Sequence, residues 1–393
     1  MPVPLIAVIL ALPPLCTDMH LSAYQAMRLD FGVDPAVIQA TFTTFIIGFA
    51  IGQLIVGPFS DSAGRRWYLI GGGVAFAVAS LATALAPDPT TLLVTRAIQG
   101  VAGAAMVVAA RAAVTDLTTD VGTARSFASI ASLTALAPVI APVLGTAIST
   151  ATSWRWIFAT QAVIGLIVVG MALARLPETL DPDRRTPLRV RSALLQMKFL
   201  LHRERFAWHV AAGSAAGIGF YTYINASSFI VQGQFGATPV TFATMFTVNA
   251  LGMVGVITLV RIMVRRIDVA KIFGFGLGIC LAGAAALGVL SVLGLATLPA
   301  VWVCFAIVSA GWGCVIPTNL AIAQIEGRRY AATAAALQGG IQFGLGGLAT
   351  PLSGLLGATV SVTVGIMLVS FVAGVGLYFV GRARSNRGQA ALG

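Results

Sequence analysis

Charged side chains are rare in this chain: they make up 9% of its 393 residues, against roughly 25% in an average soluble domain. That shortage excludes an ordinary water-soluble globule. Acids are the scarcer sign, with 13 Asp and Glu against 24 Lys and Arg and a net charge of +11. A nucleic-acid binder would gather that excess into one patch. Here the basic residues fall in short clusters between apolar runs, so nucleic acid is not an expected partner. There are only three histidines and four cysteines, Cys16, Cys280, Cys304 and Cys314, and the cysteines all lie inside apolar runs without ligand spacing. They read as small buried residues, so neither a metal site nor a disulfide framework is expected. No nucleophile elbow or phosphate-cradling glycine loop is present, which argues against an enzyme. No basic leader precedes the first apolar run, which therefore reads as a retained span rather than a cleaved signal.

Hydrocarbon is abundant: 58% of the residues are apolar and the mean hydropathy is +0.93. Windows of about 20 apolar residues, each enough to cross a bilayer, fall at 3–27, 35–60, 67–86, 90–116, 125–150, 156–176, 206–231, 239–261, 272–293, 298–323, 331–356 and 359–381. They predict an all-α membrane protein with twelve transmembrane helices. With the N-terminus in the cytoplasm, 20 of the 24 basic residues fall in inner loops or the C-terminal tail and two, Arg28 and Arg155, fall outside. One span more or fewer would scramble that alternation. The expectation is a multi-pass, monomeric protein of the bacterial cytoplasmic (inner) membrane with both termini cytoplasmic. A charged stretch divides it into an N-terminal six-helix half at 1–176, a cytoplasmic linker at 177–205 and a C-terminal six-helix half at 206–393.

The first span contains LPPLCTDMHLSAY, residues 12–24, with a lone carboxylate at Asp18. A charged Asp at the centre of a membrane helix costs roughly 2.5–3.5 kcal/mol on insertion scales, so it is a functional candidate by default. Pro13 and Pro14 come one turn earlier and predict a bend just below the acid. Irregular backbone at that depth persists only against protein or a watery cavity. At about 1.5 Å per residue, Asp18 lies about 10 Å below the outer boundary of a bilayer core roughly 30 Å thick. Arg96, in TRAIQG of the fourth span, lies about 9 Å down by the same rise. The two share a layer, so Asp18 reads as a proton carrier with Arg96 as its counter-charge, and Gln99 lies on Arg96's face. The blander reading has Arg96 snorkel to the outer surface. His20, about 200° round the helix from Asp18, could carry a second proton; the simpler reading is a hydrogen-bonded residue facing elsewhere.

Between spans two and three the cytoplasmic stretch GPFSDSAGRR holds Gly57, Asp61, Gly64, Arg65 and Arg66. The glycines permit a turn and close backbone approach, and Arg65 can bridge to Asp116 at the inner end of the fourth span. The rival is a solvated turn with incidental charge. In the fifth span, LAPVIAPVLGT places the small residues Ala137, Ala141 and Gly145 on one stripe for close helix packing, while Pro138 and Pro142 kink it.

These stretches resemble motifs of the major facilitator transporters. GPFSDSAGRR is similar to the signature loop GxxxDxxGR[RK] of its antiporters, and the resemblance implies an inner gate closed by Asp61, Arg65 and Asp116 in an outward-facing state. RxxQG resembles the family's fourth-helix motif, whose Arg is implicated in proton coupling. APVIAPVLGT resembles the antiporter signature GxxxGPxxGG, with Ala137 and Ala141 replacing glycines, Thr146 replacing the last one, and Pro142 and Gly145 kept. Together with TDMHLSAY they resemble the bicyclomycin and chloramphenicol resistance (Bcr/CflA) branch of drug/proton antiporters, with His20 where that branch has Tyr and Ser22 where it has Pro. The resemblance implies efflux of small amphipathic, mostly neutral drugs, powered by a proton gradient with no other cofactor.

No acid falls inside a span in the C-terminal half, so that half is expected to shape the drug site. Tyr221, Tyr223, Asn225 and Phe229 of span seven join Asn249, Trp312, Asn319, Gln338 and Gln342 as candidates for a mostly apolar pocket with a few amides and hydroxyls, to which Tyr24 and Gln99 would add from the first half. Each can equally anchor an interface or link helices. Two rival functions remain: a proton symporter importing a small polar nutrient, which would need a more polar site, and a receptor or lipid-handling protein, which would need no Asp and Arg at one depth.

Overall fold

Hydrocarbon supplies no partner for a backbone N–H or C=O, so apolar runs of this length satisfy their own backbone as helices. The computed structural model describes residues 3–117, 130, 133–134, 136–180, 190–327 and 330–390. Among these no strand occurs. The helices are α1 (Val3–Asp18), α2 (Tyr24–Phe31), α3 (Pro35–Ala63), α4 (Arg65–Ala84), α5 (Pro89–Leu117), α6 (Ala137–Ala151), α7 (Arg155–Arg175), α8 (Val190–Leu201), α9 (Glu204–Ser228), α10 (Pro239–Met263), α11 (Val269–Val292), α12 (Leu298–Glu326), α13 (Ala331–Leu355) and α14 (Val360–Ala390). Each of the twelve expected spans falls on described helix, the fifth through its second half only, because most of 125–136 lies outside the described residues. Nine described segments are long and apolar enough to cross a membrane by length and composition. α9 and α13, 25 residues each, are not among them, since hydroxyls, amides and glycines dilute their apolar runs. Val292 (88% exposed), Leu355 and Val369 lie on the outer surface, where lipid rather than water would cover such side chains.

The chain separates into two compact units, one comprising Met1–Val190 with Pro239–Thr247 and the other Arg191–Thr238 with Val248–Gly393. In the first, α3 packs along α5 and α4 lies against α5 and α7, with α1 held by α5, α6 and α7. In the second, α9 is the central helix, packed on α12, α13 and α14, with α11 against α12 and α14. Helix ends follow their local chemistry: Asp268 caps α11 by accepting the amides of Ala270 (2.8 Å) and Lys271 (3.3 Å).

The first span is broken at a point that the prolines do not mark. The helical hydrogen bonding of α1 continues past Pro13 and Pro14 to Asp18 and is interrupted on the other side of the acid, at Met19 and His20, before a 3-10 turn at Leu21–Ala23 leads into α2. The prolines lack the amides that would reach the Ile9 and Leu10 carbonyls; one turn further on, the Thr17 hydroxyl lies 3.1 Å from the Pro13 carbonyl and 3.2 Å from that of Pro14. The interruption comes where side chains and another helix engage the backbone of α1.

Candidate functional site

A helix that stops leaves its last carbonyls without intrahelical donors. At the end of α1 the Leu15 carbonyl still takes the Met19 amide at 3.2 Å. The Cys16 carbonyl accepts instead from Arg96 Nη2, reaching over from α5 at 3.2 Å. The Met19 carbonyl faces Gly145 of α6 so closely that a Cβ there would lie 1.7 Å from the oxygen. Two residues far apart in sequence thus engage the carbonyls at the end of this helix.

Arg96 is fully buried, so it does not snorkel. Its fork is shared among three elements: Nε donates to the Thr41 carbonyl of α3 (3.3 Å), Nη1 to Gln99 Oε1 (2.6 Å), and Nη2 to Cys16. The guanidinium lies over the rings of Phe45 (4.5 Å) and Phe158 (5.5 Å), contacts that suit a weakly hydrated planar cation. Gln99 passes the network on, donating to Ser80 Oγ (2.6 Å) and Gln161 Oε1 (2.8 Å). It is fully buried within the first unit.

Asp18 is buried to 8% exposure, and the Thr17 hydroxyl lies 2.9 Å from its Oδ1. Among the described residues no cationic side chain comes within 4.0 Å of the carboxyl group. The sequence expectation of a direct counter-charge is thus corrected. Arg96 reaches the neighbourhood of Asp18 but engages a neutral carbonyl two residues earlier, because the helix end presents it with an acceptor at the negative pole of the helix dipole. His20 Nε2 lies 3.3 Å from Thr41 Oγ1 and its ring contacts Tyr24 and Phe158, in keeping with the simpler reading of it. Tyr24 is fully buried beside it.

The small stripe of α6 is buried at Ala137, Ala141, Pro142 and Gly145, and Gly145 is its contact with α1. At the other end of the unit, Gly64 separates α3 from α4 at φ +110°, a conformation that favours glycine. Arg65 Nε donates to Asp116 Oδ2 at 3.2 Å, the bridge read from the sequence, and Asp116 also accepts from the Thr179 hydroxyl at 3.2 Å. The surroundings of Gly57 and the side chain of Asp61 lie outside what is described.

Glu178 is the participant that sequence reasoning missed. Its carboxylate accepts four backbone amides, those of Arg65 (2.9 Å), Arg66 (3.3 Å), Thr179 (3.0 Å) and Leu180 (3.1 Å). It thereby caps α4 from the segment following α7, while Arg66 Nη2 donates to the Leu173 carbonyl (3.1 Å). Partial burial works against its charge, but the amides outweigh it and hold the carboxyl below the ordinary range. The only sequence signal was an acid at the end of a span, facing a loop rich in arginine.

The polar candidates of the second unit form two clusters. Tyr223 Oη lies 3.3 Å from Asn249 Nδ2 and 3.2 Å from Ser309 Oγ, and Trp302 Nε1 donates to Asn249 Oδ1 at 3.1 Å. Asn319 (3.0 Å) and Gln338 (2.5 Å) both donate to Gln342 Oε1, and Trp312 stacks on Phe220 at 4.5 Å with an edge toward Tyr221. Asn225 turns to the Tyr221 carbonyl (3.0 Å), and Phe229 is buried in a π-helical segment, Phe229–Gln234.

Comparison with known proteins supplies an independent line. The family model described as Major Facilitator Superfamily matches residues 6–351. The uncharacterized MFS-type transporter YdgK of Bacillus subtilis is 29% identical, covering 98% of this chain and 96% of its own. A bicyclomycin resistance protein homolog of Haemophilus influenzae is 27% identical over 86% of this chain and 84% of its own. A chloramphenicol resistance protein of Pseudomonas aeruginosa is 29% identical over 69% and 64% respectively. Among solved structures, a bacterial homolog of the human lysosomal transporter Spinster, inward-facing and occupied, superposes with a TM-score of 0.77 at 14% identity, covering 97% of this chain and 96% of that one. At that identity the match shows the fold.

Proposed function

The chain belongs to the Major Facilitator Superfamily, a family of membrane transporters rather than enzymes, and we propose that within it the protein is a proton-coupled exporter of small amphipathic, mostly neutral drugs. Relatives named for bicyclomycin and chloramphenicol resistance support the drug class. The observation that carries the coupling is Asp18: a lone intramembrane acid at an interrupted helix, with Thr17 as its described partner and no ion pair. An intramembrane acid with no fixed counter-charge is a functional candidate by default.

In this reading the two six-helix halves alternate access to the drug site, from a cytoplasmic membrane in which both termini face the cytoplasm. Drug entering from the inside displaces the proton from Asp18, and reprotonation from outside follows drug release, one proton per neutral drug. Arg96 fixes the end of α1 that bears the acid, and Ala137, Ala141, Pro142 and Gly145 hold α6 against it. Gly57, Asp61, Gly64, Arg65, Arg66 and Asp116 form the inner gate. The aromatic and amide clusters around Tyr221, Tyr223, Asn225, Phe229, Asn249, Trp312, Asn319, Gln338 and Gln342 supply drug contacts.

The test is efflux driven by an imposed pH gradient in proteoliposomes. Asp18→Asn is expected to fold and to lose gradient-driven export; undiminished export would remove the proposal. Resistance to an antibiotic panel, set against uptake of labelled sugars and amino acids, separates export from nutrient symport.

A further inference from the structure

The Thr17 hydroxyl carries a single proton and lies within hydrogen-bonding distance of three acceptors: Asp18 Oδ1 at 2.9 Å, the Pro13 carbonyl at 3.1 Å and the Pro14 carbonyl at 3.2 Å. It can serve only one of them well at a time. We propose that Thr17 is a positioning residue that reads the protonation of Asp18 and passes it to the backbone of α1. This rests on the reading of Asp18 as the proton carrier.

When Asp18 is a carboxylate it only accepts, and Thr17 O–H turns to it, since a charge-assisted bond is roughly twice as strong as a neutral one. When a proton from solution binds Asp18, the new carboxyl O–H donates to Thr17 Oγ1, and the hydroxyl proton is released to a prolyl carbonyl. No proton is created or lost between the side chains; the hydroxyl rotates. Loading the acid thus adds a bond inside the last turn of α1, and emptying it removes that bond. The turn affected ends at the interruption that Arg96 and Gly145 hold from α5 and α6. The prolines give the switch its leverage: the amides they lack would have tied the preceding turn to the rest of the helix.

The surroundings leave Thr17 as the direct reporter. From α5 comes Arg96, spent on Cys16, Thr41 and Gln99. On the same span lie the Cys16 thiol, His20, which meets Thr41 of α3, and Tyr24. α6 carries no titratable side chain, and α7 carries none between Arg155 and Arg175. The one acid of α3, Asp61, is 20 residues beyond Thr41.

The experiment is an infrared pH titration of the purified full-length protein in lipid nanodiscs. It follows the carbonyl band of a protonated carboxylic acid, assigned to Asp18 by its disappearance in Asp18→Asn. In Thr17→Val, which keeps the shape and removes the hydroxyl, the acid form is expected to persist to a pH about one unit higher, because the carboxylate has lost its donor. Thr17→Ser is expected to restore the midpoint. A Thr17→Val midpoint equal to the parent's overturns the role of Thr17 and leaves the proton-carrier reading standing. A parent protein with no Asp18-dependent band at any pH overturns both. Should Thr17→Val fail to fold, Thr17→Ala and Thr17→Ser are compared on the same band, with the same outcomes deciding.

Discussion

Gly145→Ala is the sharpest perturbation the packing offers. A Cβ at this position would sit 1.7 Å from the Met19 carbonyl oxygen, 2.6 Å from its carbon and 3.0 Å from the Met19 Cα. All three are backbone atoms, so no side chain can swing aside. For the oxygen contact to reach 3.0 Å, the shortest that real Cβ atoms show, α1 and α6 would have to part by about 1.3 Å. Close-packed interiors do not absorb such a gap; overpacking costs about 1–3 kcal/mol, and a backbone-on-backbone clash belongs at the upper end. Because Met19 follows Asp18, the displacement falls on the proposed proton site, and transport should fail together with stability. The assay is thermal unfolding in detergent alongside gradient-driven efflux. Gly71→Ala in α4 and Gly170→Ala in α7 serve as controls, since a Cβ at either meets nothing within 4 Å and should gain up to about 1 kcal/mol of helix propensity. If Gly145→Ala melts and transports as these controls do, the close contact is not what ends α1.

Two further outcomes follow from the same geometry. Arg96→Lys keeps the charge but cannot span the Thr41, Gln99 and Cys16 acceptors with one ammonium, so it should cost about 2 kcal/mol of stability and abolish drug-dependent proton exchange; parental transport by this variant would show that the planar fork is dispensable. Glu178→Gln should lower the melting temperature at neutral pH by weakening the cap on α4. The folded carboxyl of Glu178 is held below its ordinary value of 4.5, so its contribution is fully present above that pH and disappears as pH falls through the depressed folded value. The gap between parent and variant should therefore close on acidification, and a gap that stays constant into strong acid would show that charge is irrelevant there.

The helical class and the placement of the spans were legible because apolar length and the distribution of arginines are one-dimensional quantities. The Arg65–Asp116 bridge could be read because a glycine turn and an acid at a span end leave few partners. The end of α1 was not legible. Proline chemistry pointed below Asp18, whereas the interruption lies above it, where the backbone meets Arg96 and Gly145, about 80 and 125 residues away along the chain. The missing ion pair was hidden for the same reason: depth arithmetic puts Arg96 beside Asp18 but does not reveal that a freed carbonyl competes for the guanidinium. Glu178 escaped because its partners are main-chain amides, which a sequence does not distinguish, and Thr17 because its hydroxyl divides between the neighbouring Asp18 carboxylate and two prolyl carbonyls.

The clamp at Glu178 has a practical corollary for anyone cutting or fusing this chain. The span count invites a junction after residue 176, but Glu178 still binds the start of α4 and Thr179 the end of α5. A chimera spliced at 176 would discard the acceptor for the Arg65 and Arg66 amides, whereas one spliced after 180 would carry the first half's own fastening with it.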